Sequence, residues 1–185
     1  MLAENAAASA PASIELELLP DFDSLPTFEE NAATFAENAA GKALHYSRLN
    51  EGLIFADDSG LVVPALGDAP GVHSARYAGA DAPNSRCIEK LLREMQGKTG
   101  QARSARFVCA IALVRAGRAL AVVTDRVDGE LLESPRGAGG FGYDPLFYFP
   151  ALKRTFAEVS AEEKNQHSHR GKAFRKLLAA LSSML

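Results

Sequence analysis

The stretch ARFVCAIALVRAGRALAVVTDRVDGEL, from Ala105 to Leu131, constrains the fold more than any other part of the chain. Two long runs rich in Val, Leu and Ala flank Ala116-Gly117, a dipeptide suited to a tight turn. The segment therefore reads as a hairpin of two long strands. The other elements have to be arranged around that pair.

Upstream, GLIFAD and LVVPAL read as two strands separated by an acidic turn, ADDSG. IELELL, over 14–19, alternates apolar and acidic residues and predicts a half-buried strand, followed by the turn-rich PDFDSLP. Thr34-x-x-Glu37 has the form of a capping box, which predicts a helix from Thr34 to about Arg48 closed by Asn50 and Gly52. That helix places Asn38 and Lys42 one turn apart on one face. NSRCIEKLLREM predicts a second helix with Asn84 as its cap, and RTFAEV a short strand. Ser160-x-x-Glu163 opens a short helix, and GKAFRKLLAALSSML is an amphipathic C-terminal one. Repeats are absent. Strands mixed with helices indicate an α/β or α+β class, and 185 residues fit one domain.

The formal net charge of −3 and the sequence pI of about 5.8 argue against a general nucleic-acid or membrane-surface binder. No apolar run approaches the ~20 residues that a membrane span needs, and the N-terminal MLAENAAASAPAS has neither the basic nor the apolar region of a secretory signal. Cys87 and Cys109 are the only cysteines and lack C-x-x-C spacing. They read as two reduced thiols of a cytosolic protein.

Four motifs can carry chemistry. In ADDSG, strand alternation points Asp57 and Asp58 to opposite sides, so one can face a cleft while the other anchors a turn. Carboxylates this close repel unless a cation or shared proton relieves them, and Mg²⁺ suits such oxygen ligands; an ordinary Asp-Ser-Gly turn explains the motif equally well. In FEEN, Glu29 and Glu30 either favour the helix N-terminus by their charge or supply further carboxylates to a metal. RGAGGFGYDP carries four glycines within 137–142, and Phe141 and Tyr143 add flat faces. The loop suits a stacked base, or packs its aromatics into the core. EEKNQHSHRG gathers Lys164, His167, His169 and Arg170. Lys, Arg and protonated His are donors only, so such a pocket accepts carbonyl or phosphate oxygens, whereas the plain alternative is a solvated basic turn. Ser59 lacks the G-x-S-x-G elbow of a hydrolase nucleophile, and His73 follows a Pro-Gly turn as a structural or rim residue.

Taken in order, TFAENAAGKA, FADDSGLVVPALGDAPGVHSARYAG, GGFGYDPLF and EEKNQHSHRGKAF resemble the inosine triphosphate pyrophosphatase family, the XTP/dITP diphosphatases, from about residue 27 to 185. The resemblance implies an α/β fold with a mixed twisted sheet, flanking helices and two lobes around a central cleft. It implies hydrolysis of ITP, dITP and XTP to the monophosphate and pyrophosphate with Mg²⁺, in a cytoplasmic homodimer. It assigns Asp58 as the proton acceptor, Glu29 to the metal with Asp57 or Asp58 nearby, and Lys42 to the triphosphate. Ser59 borders the substrate; Phe141, Gly142, Tyr143 and Asp144 match the base-binding loop; Lys164, His169 and Arg170 match the residues that read the purine. Donors there satisfy a 6-oxo group and face a donor in adenine, a mispairing that costs several kcal/mol.

The family opens with a strand and an S/T-G-N-x-x-K phosphate loop, and this chain shows no such segment. Residues 1–13 resemble the tail of the first helix and IELELL the second strand. The expectation is an N-terminally incomplete domain, with weakened phosphate binding as the alternative to full activity.

Overall fold

The computed structural model describes residues 15–183. Its centre is a five-stranded sheet: β1 (Leu53–Val62), β2 (Ser104–Arg115), β3 (Arg118–Leu131), β4 (Phe147–Phe149) and β5 (Arg154–Thr155). The strands lie in sequence order, and each described ladder is antiparallel. β2 and β3 form the expected hairpin. Ala116 and Gly117 both take positive φ, 47° and 72°, the turn geometry that matches the right-handed twist of the strands.

Two expectations about strands are corrected. ADDSG is not a turn between two strands but the middle of β1. The ladder to β2 runs unbroken through Asp57↔Ile111, Asp58↔Ala110, Ser59↔Cys109 and Gly60↔Val108, and ten residues of continuous pairing override the local turn preference of Asp-Ser-Gly. Nor is IELELL a strand in its described part: residues 15–19 are irregular and enter no ladder among the described residues, although Leu16 packs on the core. Alternation specifies a strand only where a neighbour offers hydrogen bonds. The expectation for residues 1–13 lies outside the described residues.

Helices cover both sheet faces. α1 (Phe35–Tyr46) presses Ala39 and Ala43 onto Ala110, Ala112 and Val114 of β2. The opposite face of β2, with Cys109, Ile111 and Leu113, takes Ala173, Phe174, Leu177, Leu178 and Leu181 of the C-terminal helix α4 (His169–Ser182). That split follows from the two-residue period of a strand. α2 (Asn84–Glu94) closes a third cluster, where Leu91 and Met95 meet Leu61, Phe107, Phe147 and Phe156. Asn84 is the first residue of α2 rather than its cap; Pro83 holds the cap position. At α1 the capping box forms as expected: Thr34 Oγ1 accepts the Glu37 N–H at 3.2 Å and donates to the Glu37 carboxylate at 2.8 Å. Ser160 caps the short α3 (Ala161–His167), its Oγ accepting the Glu163 N–H at 3.1 Å, while the Glu163 carboxylate pairs with Arg154.

Candidate active site

Among the described residues β1 is an edge strand, and the candidate residues divide between its two faces. Asp58 points to the α1 face and is 7% exposed. Asn38, fully buried on α1, donates to its Oδ2 at 2.9 Å and accepts the Ala32 N–H at 2.9 Å. Burial pushes the Asp58 carboxyl up to about 6; the Glu30 charge adds to this, while Asn38 and Lys42 oppose it. Lys42 forms an ion pair with Glu30 and donates to the Asp57 main-chain carbonyl at 3.0 Å, satisfying one edge group of β1.

Of the two adjacent glutamates, the structure brings Glu30 into this cluster. Glu29 is exposed, and its carboxylate accepts from Asn31 at 3.0 Å. Asp57 and Asp58 are also separated. Asp57 lies on the α4 face, where Arg170 Nε and Nη2 each stand 2.9 Å from its Oδ2. Arg170 Nη2 also donates to Ser59 Oγ at 2.9 Å, so Asp57, Ser59 and Arg170 form one network.

Around that network lies the glycine-rich loop. Asp144 is buried, accepts the Phe141 N–H at 2.8 Å and pairs with Lys164. Gly140 and Gly142 take φ of 71° and 58°, and a side chain at Gly140 would collide with the Asp144 carboxylate. Phe141 is 42% exposed, with Lys164 Nζ 4.3 Å and the Arg170 guanidinium 5.4 Å from its ring centroid. Tyr143 turns inward and donates to the Ser74 carbonyl at 2.9 Å, so its ring belongs to the core. His169 is stacked on Phe107, with ring centroids 4.8 Å apart. Burial, with the neighbouring Arg170 and Lys164 charges, holds its imidazole well below the usual histidine range. This corrects the donors-only expectation at His169: a neutral ring offers one donor and one acceptor. Its Nδ1 is buried without a hydrogen-bond partner among the described residues.

The donor set fits a hard divalent cation of the Mg²⁺ class. Among the described residues no three His, Cys, Asp or Glu side chains converge as a full cage. Mg²⁺ does not need one; it is held by one or two carboxylates, with water and phosphate oxygens completing its shell. Asp58 and Glu30 would supply two: the Glu30 charge acts on the Asp58 carboxyl, and Lys42 pairs with Glu30 beside it.

Sequence reasoning passed over two residues, Asn38 and Arg76. Asn38 was placed beside Lys42 but given no role; its signal was an amide on the buried side of an Ala-rich helix. Glu30 was weighed with Glu29 as a carboxylate source, and the family resemblance favoured Glu29. Arg76, which donates to the Glu30 carbonyl at 2.6 Å, carries no local signal because its partner lies 46 residues away.

A model of the Ham1 family matches residues 2–180. A dITP/XTP pyrophosphatase of Geobacillus kaustophilus is 53% identical over 174 residues, which cover 94% of this chain and 85% of that protein. Another dITP/XTP pyrophosphatase, of Gloeobacter violaceus, is 50% identical over 164 residues, covering 88% and 79%. The structure of a HAM1 protein from Coxiella burnetii superposes with a TM-score of 0.87 at 40% identity, covering 98% of this chain and 93% of that one.

Proposed function

The chain belongs to the Ham1 family, and from that premise we propose that it hydrolyses the non-standard purine nucleoside triphosphates dITP, ITP and XTP to the monophosphate and pyrophosphate. The observation that carries this reading is the division at β1. A buried carboxyl with a second carboxylate and a lysine occupies one face, and a cation-rich aromatic loop occupies the other. A nucleotide laid across the strand edge meets both. The names of the relatives point to the same substrates.

In this reading Asp58 accepts the proton of the attacking water, and its carboxyl near 6 is ionised at neutral pH yet basic enough to take it. Asn38 keeps the carboxylate aimed. Asp58 and Glu30 would hold Mg²⁺, with Asp57 and Glu29 set apart from that pair; when bound, the ion shields the phosphate charge and makes water more acidic. Lys42 balances Glu30 in the free enzyme and turns to the triphosphate in the complex. On the other face, Phe141 stacks the purine between the glycines. Lys164 and Arg170 present donors to the 6-oxo oxygen, neutral His169 adds a single donor, and Ser59 and Asp57 hold Arg170 in place. Adenine's amino group leaves those donors facing a donor. The protein is assigned to the cytoplasm, in keeping with two free buried cysteines. No helix among the described residues is long and apolar enough to cross a membrane. A homodimer follows from the family resemblance.

Pyrophosphate release tests the proposal. With Mg²⁺, turnover of dITP is expected to exceed that of dATP by roughly a hundredfold or more in kcat/KM. Equal rates on the two would refute the base assignment, and no release from dITP would refute the activity.

A further inference from the structure

A short 3₁₀ turn, Gly71–Arg76, stands between the acidic loop that carries Glu29 and Glu30 (residues 26–34) and the glycine-rich base loop (137–144). It is pinned to β1: Ser74 Oγ accepts the Leu61 N–H at 2.9 Å and donates to the Gly71 carbonyl at 2.6 Å. Gly60 permits this approach, since a side chain there would run into Ser74 and the Gly71 carbonyl. Tyr143 holds the turn from the base loop through the Ser74 carbonyl. At the far end, Arg76 Nη2 reaches the main-chain carbonyl of Glu30.

The rest of the acidic loop is gripped by α1. His45 Nε2 lies 2.9 Å from the Pro26 carbonyl, the Phe28 ring fills the space beside Gly41, and Asn38 takes the Ala32 N–H. These contacts lie before and after the glutamates. At Glu30 itself the main-chain carbonyl is held by Arg76, from the Gly71–Arg76 turn rather than from α1. We infer that Arg76 is a positioning residue: it fixes the Glu30 main chain so that this carboxylate, and not that of Glu29, faces Asp58 and receives the divalent cation. The inference rests on the reading of Asp58 and Glu30 as the metal's carboxylates.

Electrostatics makes the claim testable by sign. A guanidinium near a cation site repels the cation, so by charge alone removing it tightens metal binding. If Arg76 acts by holding Glu30, removing it weakens binding, as loss of an outer-sphere partner of a ligand does.

The experiment is a titration of the nucleotide-free full chain with Mn²⁺, read by electron paramagnetic resonance, on the wild type, Arg76→Met, Arg76→Lys and Glu30→Gln, each with a melting curve. Arg76→Met is expected to weaken Mn²⁺ binding roughly tenfold, with Arg76→Lys, which keeps the charge and one donor, in between. Unchanged or tighter binding in a folded Arg76→Met protein overturns the inference. Should that variant fail to fold, Arg76→Lys decides, and wild-type affinity there overturns it equally. Wild-type affinity in Glu30→Gln brings down the metal assignment itself, and the inference with it.

Discussion

Asp58 is the residue whose cost to the fold is plainest. Its carboxyl is raised from 3.8 to about 6, first by burial and then by the Glu30 charge. For an acid shifted upward, the stabilising contribution is complete below its ordinary value and is lost as pH rises through the folded one. At pH 8 the metal-free protein therefore carries an ionised, poorly solvated carboxylate, at a cost on the order of 2 kcal/mol. Asparagine has the shape of the protonated acid and can still accept from Asn38. Asp58→Asn is thus expected to raise the metal-free melting temperature by about 4–8 °C at pH 8. The gain should vanish near pH 4, while dITP turnover falls by at least ~100-fold. Scanning calorimetry at the two pH values checks this, and an equal gain at both would mean that packing, not ionisation, is responsible.

At the level of elements, β1 does two jobs that conflict in isolation. It must run straight enough to pair ten residues with β2, yet admit the Gly71–Arg76 turn against its edge. Gly60 reconciles the two. Gly60→Ala places a methyl group against Ser74 and the Gly71 carbonyl, both tied into the hydrogen bonds that hold the turn. It is expected to cost about 1–3 kcal/mol, as overpacking does, seen as a lower midpoint in urea. A wild-type midpoint would show that the turn yields freely. Element by element, what the sequence revealed depended on range. The Thr34 cap and the Ala116-Gly117 turn were legible because their determinants lie within four residues. The run of β1 through ADDSG was not, because it is decided by β2, some fifty residues later. IELELL failed for the converse reason: it has a strand's pattern but finds no neighbour among the described residues.

Over the whole molecule, the candidate site is assembled from residues distant in the chain but concentrated at one sheet edge. The chemistry of each motif could be read from residue type: paired acids, stacked aromatics, clustered donors. Their partnership could not. Asp57 meets Arg170 across 113 residues, and Lys164 meets Asp144 across 20. Spacing along the chain says nothing about which face of β1 each will share, and so Glu29 and Glu30 could not be told apart. The division by faces has a consequence for energetics. Asn38 touches Asp58 and Ala32 on the α1 face; Lys164 touches Asp144 and Phe141 on the other. They share no partner, and β1 stands between them. Losses at sites without shared partners add to within about 0.5 kcal/mol. Asn38→Ala should act mainly on kcat for dITP, because it leaves Asp58 without its donor, and Lys164→Met mainly on KM, because it strips a donor and a cation from the base side. In the double variant the loss in kcat/KM should equal the product of the single losses to within a factor of about 2–3. A coupling larger than about 1 kcal/mol would mean that the two faces do not act independently, and that β1 transmits between them rather than dividing them.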